Sequence, residues 1–162
     1  MKIGVIADTH DNQESVAAAV EFFNSEGAEH VLHAGDLVSP FTASKFEDLK
    51  AKLHYVWGNN EGAREHVRRN LERIGTEVYG NFASLKLDGC KIAMLHGEHE
   101  EVVEALAESD RYDVVVRGHT HDPGVDKKKM VINPGPASGY LQDNRTVALL
   151  DTEDLEAEIM EI

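Results

Sequence analysis

A chain of 162 residues, 41% hydrophobic and 28% charged, is long enough to bury a sizeable core and reads most simply as one domain over 1–162. Its net charge of −14, from 30 acids against 16 bases, argues against a nucleic-acid surface or an anionic membrane as partner, because both reward basic patches. Its apolar runs are too short to span a bilayer, it opens without a signal-like segment, and its single cysteine, Cys90, permits no internal disulfide, so a cytoplasmic setting is expected.

Residues 2–7 are a short apolar run of the kind buried on both faces of a sheet. The run leads into Asp8-Thr9-His10-Asp11, and strand alternation would put Asp8 and His10 on one face. Residues 12–15 read as a helix start, with Val16, Val20 and Phe23 at helical spacing and Gly27 as the stop. Residues 30–34 are a second buried strand, ending in Gly35-Asp36. A helix is expected over 42–50, with Phe41, Phe46 and Leu49 turned inward. Residues 53–57 are a third strand, ending in Gly58-Asn59-Asn60-Glu61, and 64–74 form a helix closed by Gly75. This βαβαβα order predicts parallel strands with right-handed crossovers.

The second half changes character. Residues 82–87 alternate apolar and polar, and Asp88-Gly89 turns the chain into 91–95, a strong hairpin pattern. That strand ends in His96-Gly97-Glu98-His99. A helix over 102–107 precedes a buried strand at 113–116, which ends in Arg117-Gly118-His119-Thr120-His121. Residues 130–132 run into Asn133-Pro134-Gly135-Pro136, and 146–150 with 155–162 form a closing antiparallel pair. The pattern predicts an α/β fold: two mixed β-sheets packed as a sandwich and flanked by helices.

One strand after another ends in a metal-ligand residue: Asp8 with His10, Asp36, Asn59, His96, then His119 with His121. Each alone has a plainer reading as a turn former, a helix cap or a buried histidine. Together they do not, because turn chemistry never requires Asp, Asn or His after every buried strand. Strand carboxyl ends lie side by side in a sheet, which is where open α/β sheets bind ligands. The donors exceed what one ion needs and suggest two ions sharing a carboxylate. Imidazole with carboxylate suits Mn, Fe, Zn or Ni, and the lack of thiolates argues against a structural zinc cage.

Asp8-Thr9-His10, Gly35-Asp36, Gly58-Asn59, His96-Gly97, Gly118-His119-Thr120-His121 and Ile132-Asn133-Pro134-Gly135 stand in the order and spacing of calcineurin-like metallophosphoesterases. Over nearly its whole length the chain resembles their small YfcE-type archaeal and bacterial phosphodiesterases. The resemblance implies the αββα metallophosphatase fold with a dinuclear centre. It implies one ion on Asp8, His10, Asp36 and His121, and another on Asp36, Asn59, His96 and His119, with Asp36 bridging. The implied cofactors are two divalent transition-metal ions, manganese first, with nickel, iron or zinc as alternatives. The implied reaction is hydrolysis of a phosphate ester, a diester first, by a hydroxide bridging ions about 3.5–4 Å apart.

The residues implied for that chemistry are Asp36, Asn59, Asn60 and His96, with Thr9 and Thr120 supporting the ligand loops. The implied partner is a small phosphate-ester substrate, and a homo-oligomer stays open. The alternatives are a phosphomonoesterase, a nucleotide pyrophosphatase, or a non-catalytic protein-interaction scaffold of the same fold, and the intact donor set favours catalysis. Two positions depart from the family. Many members carry His where Asn60 stands, to protonate the leaving group or bind phosphate, and small relatives read His-Gly-His where this chain has His96-Gly97-Glu98, with His99 one residue further along. Arg117 reads either as a phosphate contact or as a helix-facing ion pair; His30, His33, His54 and His66 read as structural or surface residues.

The acidity carries a prediction of its own. Repulsion among surface carboxylates is screened as ionic strength rises, so the melting temperature is expected to climb with KCl into the molar range. A flat or falling curve in a thermal melt would make the composition ordinary acidity.

Overall fold

In the computed structural model, which describes residues 1–141 and 144–162, β1 (Lys2–Ile6) lies inside a six-stranded sheet. β2 (His30–His33) pairs with it in parallel, β3 (Lys52–Tyr55) follows β2, and the short β4 (Glu77–Val78) follows β3. On its other side β10 (Thr146–Asp151) runs antiparallel to β1 and carries β11 (Glu156–Glu161). The second sheet has five strands. β5 (Phe82–Leu87) and β6 (Cys90–Leu95) form a hairpin, β7 (Val114–Val116) and β9 (Val131–Asn133) continue in parallel, and β8 (Gly124–Asp126) closes the edge antiparallel to β9. The hairpin turn is the expected Asp88-Gly89, both at positive φ, the geometry whose twist suits a two-residue turn.

The two sheets face each other across one apolar layer. Ile3, Val5, Leu32, Ala148 and Leu150 of the first pack with Ile92, Met94, Val114, Val116 and Ile132 of the second. The outer face of the first sheet is covered by α1 (Gln13–Glu26) and α3 (Arg64–Arg73), through Val16, Val20, Phe23, Val67 and Leu71. The outer face of the second is covered by α4 (Glu100–Ala107) through Val103. Helices on one face and the second sheet on the other explain why β1 reads as an unbroken apolar run rather than an alternating one. The expected α/β sandwich is the observed architecture. Among the described residues no helix is long and apolar enough to cross a membrane.

α1 begins and ends where its sequence signals lie: Asn12 accepts the Ser15 N–H, and Gly27 closes the helix in the left-handed region. The helix expected over 42–50 is different. Only α2 (Pro40–Ala43) and a 3₁₀ turn over Ser44–Phe46 form. Phe46 is buried as expected and Leu49 is partly buried, but Phe41 is 76% exposed rather than turned inward. Asp11 explains the local shape: its Oδ1 accepts from the Ser39 N–H, the Ser39 hydroxyl and the Thr42 hydroxyl, tying this segment to the end of β1. β4 and β8, of two and three residues, are too short to leave a periodicity in the sequence.

One polar chain, buried at His54 and running out to an exposed glutamate, lies away from the strand carboxyl ends. Tyr79 donates its hydroxyl to Glu77, His54 Nδ1 donates to the Tyr79 oxygen (2.9 Å), and His30 Nδ1 donates to His54 Nε2 (2.9 Å). Burial, reinforced by neighbouring His30, lowers the His54 pKa to about 4. In the unfolded chain the same ring takes up a proton below about pH 6.5. Its contribution to stability is therefore complete above pH 6.5 and is lost as pH falls from there towards 4. Between pH 7.5 and 4.5, urea unfolding of wild type should lose about 2 kcal/mol more than that of His54→Phe. Equal losses in the two proteins would contradict a neutral buried His54.

Candidate metal centre

β1, β2 and β3 end along one edge of the first sheet, and their turns are laced together through the backbone. The Asp8 N–H donates to Gly35 O (3.0 Å), the His10 N–H to Asp36 O (3.0 Å) and the Asp11 N–H to Leu37 O (3.2 Å). Asp8, His10, Asp36, His119 and His121 all hold positive φ. Non-glycine residues rarely adopt that conformation, and it costs on the order of 1–3 kcal/mol each in the less favourable cases. Strand alternation therefore does not bring Asp8 and His10 together, because β1 ends at Ile6 and Asp8, His10 and Asp11 take left-handed conformations in the turn that follows. Nor do the donors come from one sheet. Asp8, His10, Asp36 and Asn59 follow strands of the first sheet, while His96, His119 and His121 follow β6 and β7 of the second.

Two glycines make the close approach possible. A Cβ on Gly58 would sit 2.0 Å from Asp36 Oδ1, and one on Gly118 would sit 2.7 Å from Ala7 Cβ and 2.8 Å from Asp8 Oδ2. Neither collision is with a side-chain end that can swing away cheaply.

The donors converge as two overlapping groups, Asp8 with His10 and His121, and Asp8 with Asp36 and His96. His96 Nδ1–H donates to Ala34 O at 2.7 Å, which fixes the tautomer and leaves the neutral ring with a lone pair on Nε2. That Nε2 faces oxygen on several sides: Asn59 Oδ1 at 2.9 Å, Asp36 Oδ2 at 3.4 Å and Asp8 Oδ1 at 4.0 Å. Asn59 Oδ1 also lies 3.0 Å from His119 Nδ1. Asp8 Oδ2 accepts the His119 N–H at 3.0 Å, whereas its buried Oδ1 has no hydrogen-bond donor among the described residues and lies 3.3 Å from His121 Nε2 and 3.8 Å from His10 Nε2. The Nε2 atoms of His10 and His121 are 3.3 Å apart.

The electrostatics follow from that crowding. Burial works to raise the Asp36 pKa, but hydrogen bonds from His96 and from the Asn60 backbone and side chain outweigh it and hold the carboxyl well below the usual range. Burial works to lower His96, and the Asp36 and Asp8 carboxylates override it, so its pKa is raised. His121 is raised chiefly by Asp8. Imidazole nitrogens crowded against carboxylate and amide oxygens, in a place that draws positive charge, suit a divalent cation with nitrogen and oxygen ligands. The residues fit the metal that their types implied.

The family model for the calcineurin-like phosphoesterase superfamily domain matches residues 1–155. The chain belongs to that superfamily. It is 41% identical to a phosphodiesterase of Methanocaldococcus jannaschii over 159 residues, 96% of each protein. A solved archaeal phosphodiesterase superposes with a TM-score of 0.93 at 39% identity, each chain wholly covered. The phosphoesterase YfcE from E. coli superposes with a TM-score of 0.71 at 17% identity, over 100% of this chain and 98% of that one, and shares the fold.

Several residues of this calcineurin-like phosphoesterase act in ways its motifs did not announce. Glu61 accepts the Leu37, Val38 and Gly58 N–H groups and the Tyr55 hydroxyl, locking the Asp36 turn against the Asn59 turn. Asn60 holds Asp36 twice, backbone N–H to Oδ1 and side-chain Nδ2 to Oδ2, each at 2.8 Å. Arg117 turns away from the donors: it is nearly buried, pairs with Glu100 at the start of α4, and donates to Gly97 O at 2.9 Å. The helix-facing reading is the one observed. His99 is the N-cap residue of α4 and does not line the cavity over the donors. Thr9 reaches Asp36 O and the buried His33, and Thr120 accepts from Asn133 Nδ2, so both threonines support ligand turns. His33, kept neutral by burial with a pKa of about 3, is structural.

Proposed function

We propose that this phosphoesterase is a metal-dependent phosphodiesterase of the cytoplasm, acting as a single domain on a small phosphodiester. One divalent ion would be held by Asp8, His10, Asp36 and His121, a second by Asp36, Asn59, His96 and His119, and manganese is the first choice. The observation that carries this reading is the convergence of the donors: with its Nδ1 taken by Ala34 O, His96 Nε2 lies 2.9 Å, 3.4 Å and 4.0 Å from oxygens of Asn59, Asp36 and Asp8. Bound there, such ions supply Lewis acidity, lowering the pKa of water towards neutrality and neutralising charge on the phosphoryl oxygens.

The protein's own part is positional. Ala34 O turns His96, Asn60 fixes both oxygens of Asp36, and the His119 N–H fixes Asp8. A water oxygen forms the new bond to phosphorus, the bond to the leaving oxygen breaks, and the water proton is lost to solvent. Neither lysine nor arginine is among the described residues lining the cavity, which favours a monoanionic diester over a dianionic monoester or a pyrophosphate.

Chelation tests the proposal. The purified protein should lose hydrolysis of bis(4-nitrophenyl) phosphate in a chelator and regain it with Mn or Ni. Turnover that survives complete metal removal, verified by elemental analysis, would sink it.

A further inference from the structure

The cavity above the donors, about 340 Å³, has a lining of two kinds. His10, Asp36, Asn59, Asn60, His119 and His121 supply polar groups, and Tyr140 and Leu141 add a ring and an aliphatic side chain. These two apolar side chains are 62% and 77% exposed, in a protein whose large apolar residues are mostly buried. Their place is set by the strand that carries the donors. The Ala137 N–H donates to Ala7 O and the Ser138 N–H to Asp8 O, both at 3.1 Å, and Asn12 Nδ2 donates to Ser138 O at 2.8 Å. The segment leading into the wall is thus stitched to the end of β1.

An exposed tyrosine and leucine beside a polar centre gain when apolar surface covers them, and a flat ring covers a tyrosine best. A diester brings two organic substituents. The one that leaves develops negative charge on its oxygen, which an apolar wall disfavours and the amide and imidazole side tolerates. We propose that Tyr140 and Leu141 form a subsite for an aromatic substituent of the diester, the one that stays on phosphorus. This rests on the phosphodiesterase reading and adds the class of substrate: a diester carrying a planar ring, aryl or nucleobase, on its retained side.

The test keeps the leaving group constant. Methyl, phenyl and thymidine 5′ esters of 4-nitrophenyl phosphate are compared on the Mn-loaded protein. A wall that binds ground state and transition state alike changes KM rather than kcat. Wild type should show KM about tenfold lower for a ring-bearing ester than for the methyl ester. Tyr140→Ala/Leu141→Ala should close that gap with a much smaller change in kcat. A preference for phenyl alone assigns an aryl group, and one shared by thymidine assigns a nucleobase as well. Calorimetric binding of phenylphosphonate against methylphosphonate gives the same comparison without turnover, and should favour the phenyl compound in wild type only. No gap in wild type, or a gap that persists in the double variant, overturns the subsite. Failure of wild type to hydrolyse any of the three esters would instead overturn the phosphodiesterase reading.

Discussion

Asp36→Asn is expected to lower kcat/KM for a diester by at least about 10³-fold, more than any single histidine replacement. Asp36, like Asp8, reaches both halves of the donor set. Its Oδ2 lies 3.6 Å from His10 Nε2 and 3.4 Å from His96 Nε2, and the proposed ions share it. An amide cannot replace it quietly. Both carboxylate oxygens accept from Asn60, so an NH₂ group in either position would set donor against donor. The variant would also remove a negative charge that draws cations to the cavity. His121→Ala, by contrast, takes a ligand from one side only and leaves Asp36 in place. Metal content per chain, read by elemental analysis beside kcat/KM, separates the two: Asp36→Asn should lose binding at both positions, His121→Ala at one. An Asp36→Asn protein that keeps its metals and stays within tenfold of wild type would refute the shared carboxylate.

The second large effect concerns the leaving group. Proton donation to a departing oxygen is typically worth about 10²–10⁴-fold. The amide of Asn60 has no labile proton, and here its Nδ2 is already committed to Asp36. His99, the other candidate in the sequence, stands at the head of α4 outside the cavity. The wild-type rate should therefore fall steeply as leaving-group pKa rises, with aryl diesters good substrates and simple alkyl diesters poor ones. Asn60→His should flatten that line by helping the poorest leaving groups most. Asn60→Ala is the necessary control, because losing the amide frees Asp36 and should slow every substrate by about tenfold or more without changing the slope. A wild-type line that is already flat, or an Asn60→His line as steep as wild type, would show that position 60 is not where the proton is missing.

Much of this molecule is legible in its sequence, and the reasons are physical. Helices on one face and the second sheet on the other make β1 a continuous apolar run, and Asn12, Gly27 and Asp88-Gly89 mark ends and turns by their own backbone chemistry. The donors are visible because each closes a buried strand. What is not visible is how they meet. Asp8, His10, Asp36, His119 and His121 take left-handed conformations that no glycine advertises, so a strand-face argument reaches the right residues by the wrong geometry. Glu61 and Asp11 look like loop carboxylates, because an acceptor of scattered N–H groups leaves no spacing to read. The failed helix over 42–50 is instructive in the same way. Its apolar spacing is real, yet Asp11 and Pro40 shape the segment, and Phe41 is left in solvent.

The division of the donors between two sheets has a consequence for the order of events in synthesis. His10 lies beside His121, and Asp8 accepts from the His119 backbone, each contact spanning 111 positions. β1 itself has no partner on one side until β10, ending at Asp151, has been made. A nascent chain that has released only its first sheet strands therefore presents Asp8, His10, Asp36 and Asn59 without their imidazole counterparts. Half a site binds ions weakly and with little discrimination. Selection falls to the finished fold, and divalent affinities at nitrogen and oxygen sites follow a fixed chemical order across the first transition row. The ion that such a protein carries is thus set as much by which free metals surround it when its last strand closes as by the donors themselves.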